Sequence, residues 1–141
     1  MPTTKALPTL RIPSANSTTI DQLTLDNYFS EGHKIDLLKI DVEGAEERVL
    51  LGAQNLLRTK RIDHIIYEDH AGYPSKVGSL LEEYGYTIYA IQKGWWGLQL
   101  KRAGLGFDTA PWEEPNFLAT LLSGKAVKLL EAGGYTCLHT R

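Results

Sequence analysis

The sequence predicts an α/β domain, and three observations carry that expectation. The run "KIDLLKID" sets Ile35, Leu37, Leu38 and Ile40 almost side by side, as in a parallel-sheet strand covered on both faces. Directly after Gly44 the period lengthens. Ala45, Val49 and Ala53 are four apart, and Leu50 and Leu57 widen the stripe into one amphipathic helix. The change then repeats, from Ile62, Ile65 and Ile66 to Val77, Leu80, Leu81 and Tyr84 at helical spacing. Strand and helix periods in alternation predict parallel neighbours joined by right-handed crossovers.

The elements follow in order. Residues 1–19 are rich in Pro, Thr and Ser and predict an extended or disordered arm ahead of a domain over 20–141. Asp26, Tyr28 and Phe29 predict a short helical turn closed by Gly32. The first strand ends at Asp41, and Glu46 and Glu47 open the helix after it, where the macrodipole favours anions. Arg58, Lys60 and Arg61 stand at the far end of that helix, as the dipole prefers. "RIDHIIYEDH" predicts the second strand and again ends in carboxylates. Pro74 precedes the second helix, and "YGYTIYAIQK" predicts a third strand. Paired Trp95 and Trp96 between glycines predict a hairpin or loop, "NFLATLL" a last strand and "GKAVKLLEAGG" a closing helix.

Bulk properties narrow the function classes. A chain of 141 residues, 43% hydrophobic and 23% charged, is one domain with a real core. A net charge of -2 with both signs interspersed gives no basis for binding nucleic acid or an acidic membrane. The single cysteine, Cys137, excludes an internal disulfide and a Cys-rich zinc site. It suits a reducing compartment, so a cytoplasmic location is expected. No apolar run approaches the roughly 20 residues that span a bilayer, and the first residues lack a signal-peptide core.

Ligands of open α/β sheets bind beyond the carboxyl ends of the strands. Two acidic groups fall there: Asp41 and Glu43 with Gly44 after the first strand, Glu68 and Asp69 with His70 after the second. If the strands are adjacent, these side chains converge on one edge. Such a cluster suits a divalent metal, which prefers oxygen ligands, or a general base. Glu46 and Glu47 are assigned to the helix dipole and Gly44 to a tight turn. Asp41 and Glu68 are the stronger candidates, because a carboxylate against a buried strand is costly without a partner. His70 alone of the four histidines lies beside carboxylates at a strand end; a solvent-facing loop histidine is the competing view. Trp95 and Trp96 fit a core edge better than an apolar cleft. "GLGFD" has the wrong surroundings for a dinucleotide turn, and Cys137 has no activating neighbour.

The run "TLDNYFSEGHKIDLLKIDVEGAEERVLLGA", with "LLKIDVEGAE" at its centre, resembles the FkbM family of S-adenosylmethionine-dependent methyltransferases. "IIYEDH" and "PNFLATL" extend the resemblance over roughly residues 20–122. The resemblance implies a Rossmann-like class I methyltransferase sheet. Here it would be partial: strand, helix, strand, helix, strand, then a C-terminal hairpin and strand. In that family a first strand ends in a Gly-rich turn cradling the cofactor, and a second ends in an acid for the ribose. Only about 25 residues precede "TLD", too few for three strand–helix units of ~30 residues. The chain therefore matches the C-terminal half of the domain.

The resemblance implies O-methylation of a sugar or natural-product hydroxyl. Asp41, Glu68 and His70 are the catalytic candidates, and Asp41 and Glu43 line the cofactor side. No metal is expected. The cofactor would be S-adenosylmethionine, with its main binding loop absent. The partners expected are a small-molecule or carbohydrate acceptor and a protein or second copy covering the exposed sheet edge. The alternative function is a catalytically silent, methyltransferase-like interaction domain or half of a split enzyme. A carboxylate metal site performing hydrolysis ranks last, since it does not account for "GAEERVLLGA".

Overall fold

The computed structural model describes residues 22–29, 31–94, 97–104 and 115–132. In chain order the elements are α1 (Leu25–Tyr28), β1 (Ile35–Ile40), α2 (Glu46–Leu51), α3 (Gln54–Arg58), β2 (Ile62–Glu68), α4 (Lys76–Glu83), β3 (Thr87–Gly94), β4 (Gly97–Arg102), β5 (Asn116–Thr120) and α5 (Ser123–Ala132). The strands form one mixed sheet in the order β1-β2-β5-β3-β4. The chain is an α/β protein, as the alternating periods predict. The arm over 1–19, Trp95, Trp96, most of "GLGFD", Cys137 and His139 fall outside the described residues.

β1 and β2 are parallel, with Ile40 opposite Tyr67. β5 then enters antiparallel between β2 and β3. β3 thus runs in the sense of β1 and β2, one strand further out than expected. A period of two reports that "NFLAT" is a strand but not which gap it fills. β4 closes the hairpin with β3 across Gly94 and Gly97.

Register puts Ile65, Tyr67, Phe117, Ala119, Ile88 and Ala90 on one face of the three central strands. All are at most 2% exposed. α2, α3 and α4 deliver Leu50, Leu56, Leu57, Val77 and Leu81 to this face. Each fully buried aliphatic side chain contributes about 1.5–3 kcal/mol. The Tyr67 ring stacks on Phe117 at 5.4 Å, and its buried hydroxyl has no partner among the described residues.

β1 departs from expectation. It is an edge strand among the described residues, and Leu37 is 54% exposed. A continuous apolar run reads the same in an edge strand as in a central one, so the pattern overstated its burial.

The single helix expected over 45–57 is two short ones. The break at Gly52–Ala53 is imposed from a distance. Asp26 N–H donates to the Gly52 carbonyl at 3.0 Å. The Asp26 carboxylate accepts from the N–H groups of Asn55 at 2.8 Å and Leu56 at 2.9 Å. One side chain thereby caps α3 and seats α1 against the break. Gly52 eases that close approach, since a Cβ there would lie 3.3 Å from Thr24 Cβ, a tight contact.

One pH dependence follows from the core. Tyr86, 3% exposed, donates from its hydroxyl to the Ile62 carbonyl at 2.6 Å. Burial first, and then the charge of Asp63, pushes its pKa up to about 12 from 10.0. Burial, then the charge of Asp69, raises Tyr67 in the same direction. A raised folded value means stability is full below the unfolded pKa and is lost as pH climbs through the folded one. Denaturant midpoints should therefore fall between pH 10 and about 12, and Tyr86→Phe should lower the midpoint near neutrality while flattening that fall.

Candidate functional site at the strand ends

The carboxyl ends of β1 and β2 lie side by side, because the parallel register runs to the Ile40–Tyr67 pair. One step beyond that pair stand Asp41 and Glu68, on strands about 4.8 Å apart. Asp41, Glu43, Gly44, Glu68 and His70 together line a cleft of about 470 Å³. The structure thus brings all four site candidates, Asp41, Glu43, Glu68 and His70, around one space. Asp69 takes a different part: its Oδ1 accepts from the Ala71 N–H at 3.0 Å and shapes the loop after β2.

Asp41 is not buried. Its side chain is 50% exposed and pairs with Lys39 Nζ at 2.8 Å. Asp41 thus has a partner, and what is corrected is the burial of its strand: β1 is an edge among the described residues and water reaches the carboxylate. Lys39 is held above its ordinary pKa, chiefly by its hydrogen bond to Asp41 and by that charge, with Glu68 adding a smaller effect. A lysine that senses both carboxylates fits the view of one joint electrostatic environment. Glu68 is half-buried, and His70 is exposed on the loop.

The turn that carries Asp41 into the cleft is unusual. Glu43 has φ +46° and Gly44 has φ +87°. For glycine that conformation is free, whereas a glutamate in the left-handed region costs of order 1–3 kcal/mol. No atom lies within 4 Å of a Cβ placed on Gly44, so this glycine serves the turn rather than a tight contact.

Glu46 holds the turn in place. Its carboxylate, in a residue 7% exposed, accepts from the N–H groups of Gly44 at 3.2 Å and Val42 at 3.4 Å. Glu46 does stand in the first turn of α2, as the dipole argument has it. Its orientation toward the strand end was not readable. The available signal was the spacing, since Glu46 sits two positions after a glycine in a strand-to-helix turn.

Among the described residues no group of three or more His, Cys, Asp or Glu is placed to hold a metal ion. The cleft is instead a polar pocket lined by carboxylates from both strand ends and by His70. It can accept hydrogen bonds from hydroxyls, favour a cation, and take up a proton. No described helix is long and apolar enough to cross a membrane.

A family model described as the methyltransferase FkbM domain matches residues 4–88. That stretch is more than half of the chain and contains every residue lining the cleft. It begins earlier and ends earlier than the span over which the motifs suggest the resemblance. No curated protein and no solved structure matches the chain. With "TLD" capping a helix, "DVEGAE" forming the turn and the family match spanning both, the chain belongs to the FkbM methyltransferase family.

Proposed function

We propose that the cleft is the acceptor side of an S-adenosylmethionine-dependent O-methyltransferase acting on a hydroxyl of a sugar or natural product. The observation that carries this is the convergence of Asp41, Glu43, Glu68 and His70 at the carboxyl ends of two parallel strands. Carboxylates are the acceptors a polyhydroxylated ligand needs, and they suit the positive sulfonium of the cofactor. Asp41 and Glu43 would hold that cationic side. When bound, S-adenosylmethionine supplies an electrophilic methyl group.

The residues of this chain do the rest. Glu68, at the end of an inner strand, would accept the hydroxyl proton as the acceptor oxygen takes the methyl group and the broken carbon–sulfur bond leaves its electron pair on the cofactor's sulfur. His70, exposed beside it, relays that proton to water. Asp41 and Glu43 orient the acceptor hydroxyl toward the methyl group, and such positioning supplies much of the rate.

No glycine precedes Gly32 in the sequence, so the Gly-rich strand–turn that cradles the cofactor in this family is not among these residues. We infer that this turn comes from another stretch of polypeptide, in a longer form of the chain or in a partner. A partial Rossmann-like sheet would fit that arrangement, because among the described residues β1 is an edge and presents the half-exposed Leu37 to a further strand. The same edge supports the second view, a methyltransferase-like interaction domain that binds a protein or a second copy.

Calorimetry separates the two views. With S-adenosylmethionine the 141-residue chain should give no saturable heat below about 1 mM, equivalent to roughly 4 kcal/mol of binding. Adding the polypeptide that supplies the turn should bring binding into the micromolar range. Sub-millimolar binding by the chain alone would overturn the shared-cofactor proposal. A stable complex that binds no cofactor would favour the interaction domain.

A further inference from the structure

His70 reaches the cleft on the loop between β2 and α4. The first turn of that loop is closed by its own bonds. Gly72 N–H donates to the Asp69 carbonyl at 3.0 Å, and Ala71 N–H donates to Asp69 Oδ1 at 3.0 Å. Toward the sheet, Asp69 N–H donates to the Pro115 carbonyl at 3.2 Å. His70 and Ala71 themselves are exposed. A short turn tied down ahead of His70 still needs an anchor after it to fix where the imidazole stands.

Tyr73, three residues past His70, is that anchor. Its hydroxyl donates to Glu82 Oε1 in the last turn of α4 at 2.7 Å. Its ring lies against Gly78 in the first turn, where an added Cβ would stand 3.1 Å from Cδ2 and Cε2. An added Cβ on Gly104, just past β4, would stand 3.7 Å from Cε1. The ring also packs against the core cluster. One side chain thus touches both ends of α4 and the turn that follows β4. Glycine weakens a helix relative to alanine, and at position 78 it leaves room for an aromatic ring.

We infer that Tyr73 is a positioning residue for His70: its ring, seated between Gly78 and Gly104, keeps the imidazole on the cleft it shares with Asp41 and Glu43. This rests on the acceptor role proposed for the cleft and adds the residue that holds its proton relay in place. The ring carries the effect rather than the hydroxyl. The Tyr73–Glu82 bond is exposed, where water replaces a lost partner, whereas the ring is packed against the core. A tyrosine that only stabilised the chain would change its melting temperature and leave a folded variant's His70 where it was.

The test uses the full chain, labelled with 15N throughout and with 13C in its histidines. With Tyr73 in place, Asp41→Asn should shift the His70 ring resonances at fixed pH, since both side chains line one cleft. The His70 and Ala71 amides should have order parameters near the roughly 0.85 of rigid backbone. Tyr73→Phe keeps the ring and should preserve both results. Tyr73→Ala should drop the order parameters below about 0.6 and remove most of the Asp41→Asn shift. Gly78→Ala is the second variant. Alanine favours the helix, so the fold is kept, while the new methyl crowds the ring. It should move His70 in the same direction by less, and it decides the matter if Tyr73→Ala does not fold. Folded Tyr73→Ala and Gly78→Ala variants with parental order and an undiminished Asp41→Asn shift would overturn the positioning role and leave the cleft standing. Equal losses in Tyr73→Phe and Tyr73→Ala would overturn the assignment to the ring. A parent in which Asp41→Asn leaves the His70 ring unmoved would overturn both this proposal and the shared cleft.

Discussion

Asp26→Ala should destabilise the chain by about 2–4 kcal/mol, lowering the melting temperature by roughly 10 °C. The cause is local. The Asp26 carboxylate accepts from Asn55 N–H and Leu56 N–H, 2.8 and 2.9 Å away. An N-cap aspartate contributes up to about 2 kcal/mol, and a charged acceptor strengthens each bond. Both amides would lose their partner, and α1 would lose its tie to α3. Asp26→Asn keeps one acceptor oxygen and should lose about half as much. The melting curves of the two variants check this. An alanine variant as stable as the parent would show that the α2–α3 break holds without its cap. The "TLD" run would then need a role at the cleft instead.

The second large effect is on chemistry. In the form of the enzyme that carries the cofactor-holding turn, Glu68→Gln should lower kcat for labelled methyl transfer by about 10²–10⁴, the usual contribution of a positioned general base. The KM for the acceptor should change little, since glutamine still hydrogen-bonds a hydroxyl. Asp41→Asn should act more on KM, because Asp41 is half-exposed and paired with Lys39. Glu31→Gln removes the same charge away from the cleft and should leave both constants unchanged. If Glu68→Gln is silent and His70→Gln carries the loss, the histidine is the base and the glutamate its orienter.

These expectations draw unequally on sequence. The strand ends were legible because Ile40 and Ile66 close apolar runs that end in carboxylates, and sheets place ligands there. The helical period of Val77, Leu81 and Tyr84 was equally plain, and α4 forms on it. The break at Gly52 was not legible. A lone glycine is tolerated in a helix, and the group that enforces the break, Asp26, lies far away in sequence. The position of β5 was hidden for the same reason: Phe117 pairs with Tyr67 and Ala90, contacts that no local period encodes. Leu37 misled because apolar runs describe composition rather than neighbours, and the neighbour on its outer edge is missing among the described residues.

The cleft shows the same division. Asp41, Glu43, Glu68 and His70 could be named from their places at strand ends. The buried Glu46 carboxylate that holds their turn could not, because its direction depends on the left-handed backbone at Glu43 and Gly44. A residue that looks like routine helix-dipole chemistry in sequence is, in three dimensions, the support of the site.

The most direct measurement is an amide-resolved titration of the 15N-labelled chain with methyl β-glucoside, repeated on Asp41→Asn and Glu68→Gln. Saturable shifts confined to Val42, Glu43, Gly44, Glu68 and His70, and weakened in both variants, are the predicted result. Saturable shifts elsewhere, or shifts at the cleft that survive loss of both carboxylates, would contradict the assignment of the strand-end cleft as the acceptor site.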